Sequence, residues 1–149
     1  MTTTAADITA APVEVLLGGE TFRMSPLNDL AFGEFERFTR SLLIQTGRDA
    51  AEQAADDDER KMIMAAAFDA AGRVHIGSPA CRAQMHTLEG NVRLVWYSLR
   101  TNHPKLQLER LRELLRDPGN MRRATDSLEE LMPTAAPPKK TEAARTDAT

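Results

Sequence analysis

Residues 78–104 read SPACRAQMHTLEGNVRLVWYSLRTNHP, and this stretch decides the fold. Ser78-Pro79 marks a helix start. A serine hydroxyl accepts from an orphan amide, and a proline at the first helical position has no amide to orphan. Cys81, Met85, Leu88, Val92, Val95 and Leu99 then recur at steps of 4, 3, 4, 3 and 4, the apolar stripe of one helix. Trp96 widens that stripe, while Arg82, His86, Glu89, Arg93 and Arg100 fall mainly elsewhere. Asn102-His103-Pro104 closes the element: His103 can meet the last carbonyls, and proline forbids continuation. The spacing predicts one helix over 79–102, with Trp96 mostly buried against a helix that carries Phe35 and Phe38.

Toward the C-terminus, Leu108, Leu111, Leu114 and Leu115 predict a short helix that stops at Asp117-Pro118-Gly119. A last helix follows over about 120–131, and Pro133 ends it. Toward the N-terminus, Asp56-Asp57-Asp58-Glu59 precede Arg60-Lys61 and an apolar run from Met62 to Phe68. Acids before bases is the order the helix dipole prefers, and Gly72 is the stop. A first long helix is read from Ser25-Pro26 to Gly47, carrying Leu27, Leu30, Ala31, Phe35, Phe38 and Leu42 on one side. Gly33 costs that helix roughly 1 kcal/mol against alanine, so close packing is expected there. Val13–Leu17 and Glu20–Met24 flank Gly18-Gly19 and read as a hairpin, because glycine supplies the positive φ of primed turns. The expectation is a mainly α fold. An N-terminal β-hairpin is followed by a bundle of about five helices in one domain over 12–132, with disordered tails at 1–11 and 133–149.

The whole chain has 149 residues, which suits one core rather than two. Aromatic residues make up only 5%, against the expectation for a β-sandwich. The N-terminus lacks the basic start and apolar run of a signal peptide, and no stretch reads as a membrane span. One cysteine, Cys81, excludes an internal disulfide framework. A cytosolic protein is expected. The net charge of −3 argues against a globally basic nucleic-acid binder. The charge is split: residues 1–72 hold 13 acids and 6 bases, and residues 73–123 hold 4 acids and 10 bases. Such a chain can pair its halves within one molecule or between copies. A reversible homo-oligomer is expected, with Asp56 to Glu59 as the negative side and the helices after residue 78 as the positive side.

Catalytic chemistry finds little support. Four successive acids on a helix point about 100° apart and do not converge on one ion, so 56–59 read as a solvated helix start. His75, His86 and His103 lack zinc spacing. Cys81 lies on the apolar stripe, and no third group would orient a Cys81–His86 pair. No Gly-rich phosphate loop or nucleophile elbow is present. No enzyme, cofactor or metal is expected. The helices around Asp117-Pro118-Gly119 resemble a helix-turn-helix in outline, with Arg122 and Arg123 at the start of the second. Glu129 and Glu130 follow, however, and an ordinary helical hairpin is the simpler reading.

The order of elements adds a resemblance. The hairpin, the Ser25-Pro26 helix and above all Val92 to Pro104, followed by a Leu/Glu-rich helix, resemble the tail assembly chaperones of long-tailed bacteriophages and prophages. In that family an apolar-apolar-Trp-x-x-Leu-Arg helix ends in His-Pro, here Val95, Trp96, Leu99, Arg100, His103 and Pro104. Gln107-Leu108-Glu109-Arg110 stands where a Thr-Leu-Glu-Glu-like stretch is usual. The resemblance implies a non-catalytic protein of the host cytoplasm, absent from the mature virion. It would bind the tape measure protein and help recruit tail tube subunits. Trp96, Leu99, His103, Pro104, Leu108 and Leu111 are the structural and partner-binding candidates. Programmed −1 slippage in this family motivates a further expectation. Lys139-Lys140 after Pro138 can be encoded by a run of adenines, so a longer product would engage the tail tube protein. The alternatives are a structural virion component, such as a head–tail adaptor or minor tail protein, and a small DNA-binding regulator.

Overall fold

The computed structural model describes residues 11–132. The expected tails, apart from Ala11, and the Lys139-Lys140 pair lie outside the described residues. Two strands open the fold, β1 (Val13–Leu17) and β2 (Glu20–Met24). Six helices follow: α1 (Asp29–Glu52), α2 (Asp57–Gly72), α3 (Pro79–Met85), α4 (Leu88–Arg100), α5 (Leu108–Leu114) and α6 (Pro118–Leu131).

The hairpin forms where glycine permits it. Gly18 and Gly19 have φ of 60° and 85°, and Leu17 pairs with Glu20 to close a two-residue turn. Val15, Leu17, Phe22 and Met24 point inward, so one face of the hairpin lies on the core built by α4 and α6. Its edges are tied down by side chains. On the β1 side, Arg123 Nε donates to the Leu16 carbonyl at 2.8 Å, and the Gly18 amide donates to Asn120 Oδ1 at 3.2 Å.

The expected helix over 79–102 is two helices. Thr87 ends the first and starts the second: its hydroxyl donates to the Gln84 carbonyl at 2.8 Å and accepts from the Gly90 amide at 3.0 Å. A Cβ at residue 90 would stand 1.7 Å from the Gln84 oxygen, so only glycine allows this corner. The break takes Leu88 off the apolar stripe, and it is 70% exposed. Cys81, Val92, Val95 and Leu99 remain in the core.

The first long helix starts and ends later than the sequence suggested. Asn28 is its cap, accepting from the Ala31 amide at 2.9 Å. Ser25 is instead tied to α4, its amide donating to the Ser98 carbonyl at 2.8 Å. Gly47 does not stop α1, which runs on to Glu52. Nothing presses on Gly33, where the nearest atom to an added Cβ is Arg37 Nη1 at 4.0 Å. The close approach is at Gly47, where an added Cβ would meet the Ala67 Cβ at 2.4 Å. There α2 folds back on α1 as an arm. Asp56 caps α2 through the Glu59 amide at 2.8 Å, and Glu59 returns to the Ala55 amide at 3.0 Å, so the acidic run is a helix start.

Candidate functional site

His103 and Pro104, the end of the Trp–His-Pro stretch, line one groove, and Trp96 stands behind it. The outer edge of β2 offers the amide and carbonyl of Arg23, and the end of α4 meets both. The Arg23 amide donates to His103 Nε2 at 2.9 Å, and Asn102 Nδ2 donates to the Arg23 carbonyl at 3.1 Å. Asn102 also donates to Ser25 Oγ at 2.8 Å. These two side chains do for β2 what a third strand would do. The His103 ring meets Phe22 edge-on at 5.1 Å. His103 therefore holds the hairpin and does not cap the helix with its side chain. Only its amide does that, donating to the Leu99 carbonyl at 2.9 Å.

Beyond His103 the chain turns, and Trp96 holds the turn. Its indole N–H donates to the Leu106 carbonyl at 3.1 Å. Trp96 is half-buried on this side of α4, not buried against α1 as the spacing suggested. The α1 side of α4 is taken by Tyr97 and two arginines. Arg93 lies 4.3 Å from the Phe38 ring centre, and Arg100 lies 4.8 Å from that of Tyr97. Burial pushes the Tyr97 hydroxyl above its ordinary pKa.

Two bidentate ion pairs brace α4. Arg100 donates to both Glu34 oxygens at 2.9 and 2.5 Å, and those bonds hold the Glu34 carboxyl below the usual carboxylate range. Arg112 of α5 does the same to Glu89, at 3.1 and 2.6 Å.

Between β2, the turn and α5 lies a groove of about 450 Å³, lined by Glu20, Phe22, His103, Pro104, Lys105, Leu106 and Arg110. Phe22, Pro104 and Leu106 make it apolar, and Lys105 and Arg110 make its rim basic. Arg110 approaches Glu20 across the mouth at 3.9 Å, an exposed pair that a ligand carboxylate can displace at small cost. The arrangement suits an apolar segment that carries a carboxylate. It contains no nucleophile–base pair.

The sequence candidates divide accordingly. His103 and Pro104 line the groove, and Trp96 stands behind it. Leu99 and Leu111 are fully buried core residues, and Leu108 is half-buried beside them. Phe22, Lys105, Leu106 and Arg110 were missed, because the packing of the hairpin beside the 103–106 turn has no local signal. Among the described residues no three His, Cys, Asp or Glu side chains gather as for a metal ion. Cys81 is buried, with Thr39 Oγ1 at 3.6 Å from its sulfur. Arg123 is committed to Leu16 and to Asn120 Oδ1 at 2.5 Å, so of the two arginines starting α6 only Arg122 stands clear. No described helix is long and apolar enough to cross a membrane. No family model matches the chain, and no curated protein or solved structure matches it.

Proposed function

We propose that this chain is a non-catalytic tail assembly chaperone of a long-tailed phage or prophage. It binds the tape measure protein in the host cytoplasm, helps recruit tail tube subunits, and is absent from the mature virion. The observation that carries the reading is that the His103-Pro104 end of the Val92–Pro104 stretch lines a groove, with Trp96 bonded to the turn behind it. His103 and Pro104 belong to the motif that carries the resemblance, and they also form part of the wall of an apolar, basic-rimmed concavity. Such a groove takes an extended or helical segment by its apolar side chains and orients it by a carboxylate. A longer product made by slippage at Lys139-Lys140 would carry the contact to the tail tube protein. The chain associates reversibly with itself.

Two measurements test this. A tape measure protein of a long-tailed phage is co-expressed with the tagged chain and tested for co-purification from the bacterial cytoplasm, and purified particles are analysed for their proteins. Co-purification, with the chain missing from particles, supports the reading. Stoichiometric incorporation into particles overturns it in favour of a structural virion component.

A further inference from the structure

The helix α2 is unfinished business for the fold. Among the described elements it packs chiefly on α1, and none of its residues joins the core cluster. Only Ala67 and Ala71 are buried, on the face toward Gly47 of α1. The opposite face carries Asp58, Lys61, Met62, Ala65, Phe68, Asp69 and Gly72, spaced by three and four residues as a packing stripe requires. All are exposed, Met62 by 73% and Phe68 by 54%.

That stripe is complementary to itself. In an antiparallel pair of identical helices centred on residue 65, position 62 packs beside 68 and 61 beside 69. In this chain those pairs are Met62 with Phe68 and Lys61 with Asp69, whose ion pair to Arg73 in its own chain is exposed and readily exchanged. Each joins apolar to apolar or acid to base, and alanine at the centre lets the helices approach closely. We propose that the outer face of α2 docks the same face of a second copy of this chain, antiparallel about a two-fold axis beside Ala65. The contact is isologous, so it closes at a dimer, and it uses none of the residues that line the Phe22–Arg110 groove. This places both charge signs of the self-association within α2, rather than on opposite halves of the chain. One helix face per copy is less than a standard interface of about 800 Å² per partner, so the dimer is weak and concentration-dependent. This dimer gives a surface to the reversible self-association proposed above, and it stands or falls without any tape measure or tail tube component.

Sedimentation equilibrium of the full chain is expected to show monomer and dimer exchanging with concentration. Met62→Ser with Phe68→Ser gives a monomer with an unchanged circular dichroism spectrum. Lys61→Asp weakens the dimer tenfold or more, and adding Asp69→Lys in the same chain restores it, because the two positions face each other only across the two-fold axis. Ala65→Cys forms a disulfide-linked dimer under mild oxidation and Ala70→Cys does not, Cys81 being buried. A monomer at all concentrations overturns the proposal. So does a dimer indifferent to Met62→Ser with Phe68→Ser, or a double charge swap that restores nothing.

Discussion

Alanine substitution at Gly33 and at Gly47 of α1 should change stability in opposite directions. Both sites lie inside the same helix, where alanine is favoured over glycine by about 1 kcal/mol. At Gly33 the nearest atom to an added Cβ is the tip of Arg37, 4.0 Å away, so the methyl enters ordinary contact. Gly33→Ala should therefore stabilise by about 0.5–1 kcal/mol. At Gly47 the added Cβ would lie 2.4 Å from the Ala67 Cβ. Carbon atoms settle at about 3.5–4 Å, so α1 and α2 must part by about 1 Å or more. Overpacking of this kind costs about 1–3 kcal/mol, which exceeds the helical gain. Gly47→Ala should be destabilising by up to about 2 kcal/mol, with the loss concentrated in α2. Urea melts give the sign, and hydrogen exchange locates the effect in 57–72. In the background Ala67→Gly the clash is gone, and Gly47→Ala should then stabilise as Gly33→Ala does. If Gly47→Ala stabilises the unaltered chain as much as Gly33→Ala, the α1–α2 crossing is not where the structure puts it.

Other substitutions test the groove and its braces. His103→Ala removes the acceptor for the Arg23 amide and the edge contact with Phe22, at about 1–2 kcal/mol, and hydrogen exchange at Arg23 should rise before that of α4. Trp96→Phe leaves the Leu106 carbonyl without its donor and should cost about 1 kcal/mol in a urea melt. Glu34 and Glu89 have carboxyls held below the unfolded value by Arg100 and Arg112. Their contribution is present above the ordinary carboxylate pKa and is lost as pH falls through the lowered folded values. Melting temperature should drop on acidification through that range, and Glu34→Gln with Glu89→Gln should flatten the drop while lowering stability at neutral pH.

Local chemistry made much of the fold legible. Gly18-Gly19 wrote the hairpin, Asp56 and Ser78 wrote two helix starts, and the stripe through Cys81, Val92, Val95 and Leu99 wrote the core helix. Several misreadings share one cause, which is contact across the chain. Ser25 looks like a cap, but α4 claims its amide and, through Asn102, its hydroxyl. Gly47 looks like a stop, but it makes room for Ala67. Thr87 and Gly90 carried a local signal for the α3–α4 corner, which the unbroken apolar spacing masked. Of the groove, His103 and Pro104 were visible as a terminator. Phe22, 81 residues from His103 in sequence, joins them only through packing. Leu99 and Leu111, structural or partner candidates by sequence, are core residues, because an apolar residue looks the same in a core and in an interface until its neighbours are known.

The central claim is that the basic-rimmed groove holds the tape measure protein, and co-expression tests it most directly. The quantity measured is the soluble fraction of that protein when made alone, with the unaltered chain, and with Lys105→Glu and Arg110→Glu together. Both side chains belong to exposed residues on the rim, so the variant should fold normally by circular dichroism. The account predicts that the unaltered chain keeps the tape measure protein soluble and the reversed rim does not. Equal solubility with either chain, or none with both, contradicts it.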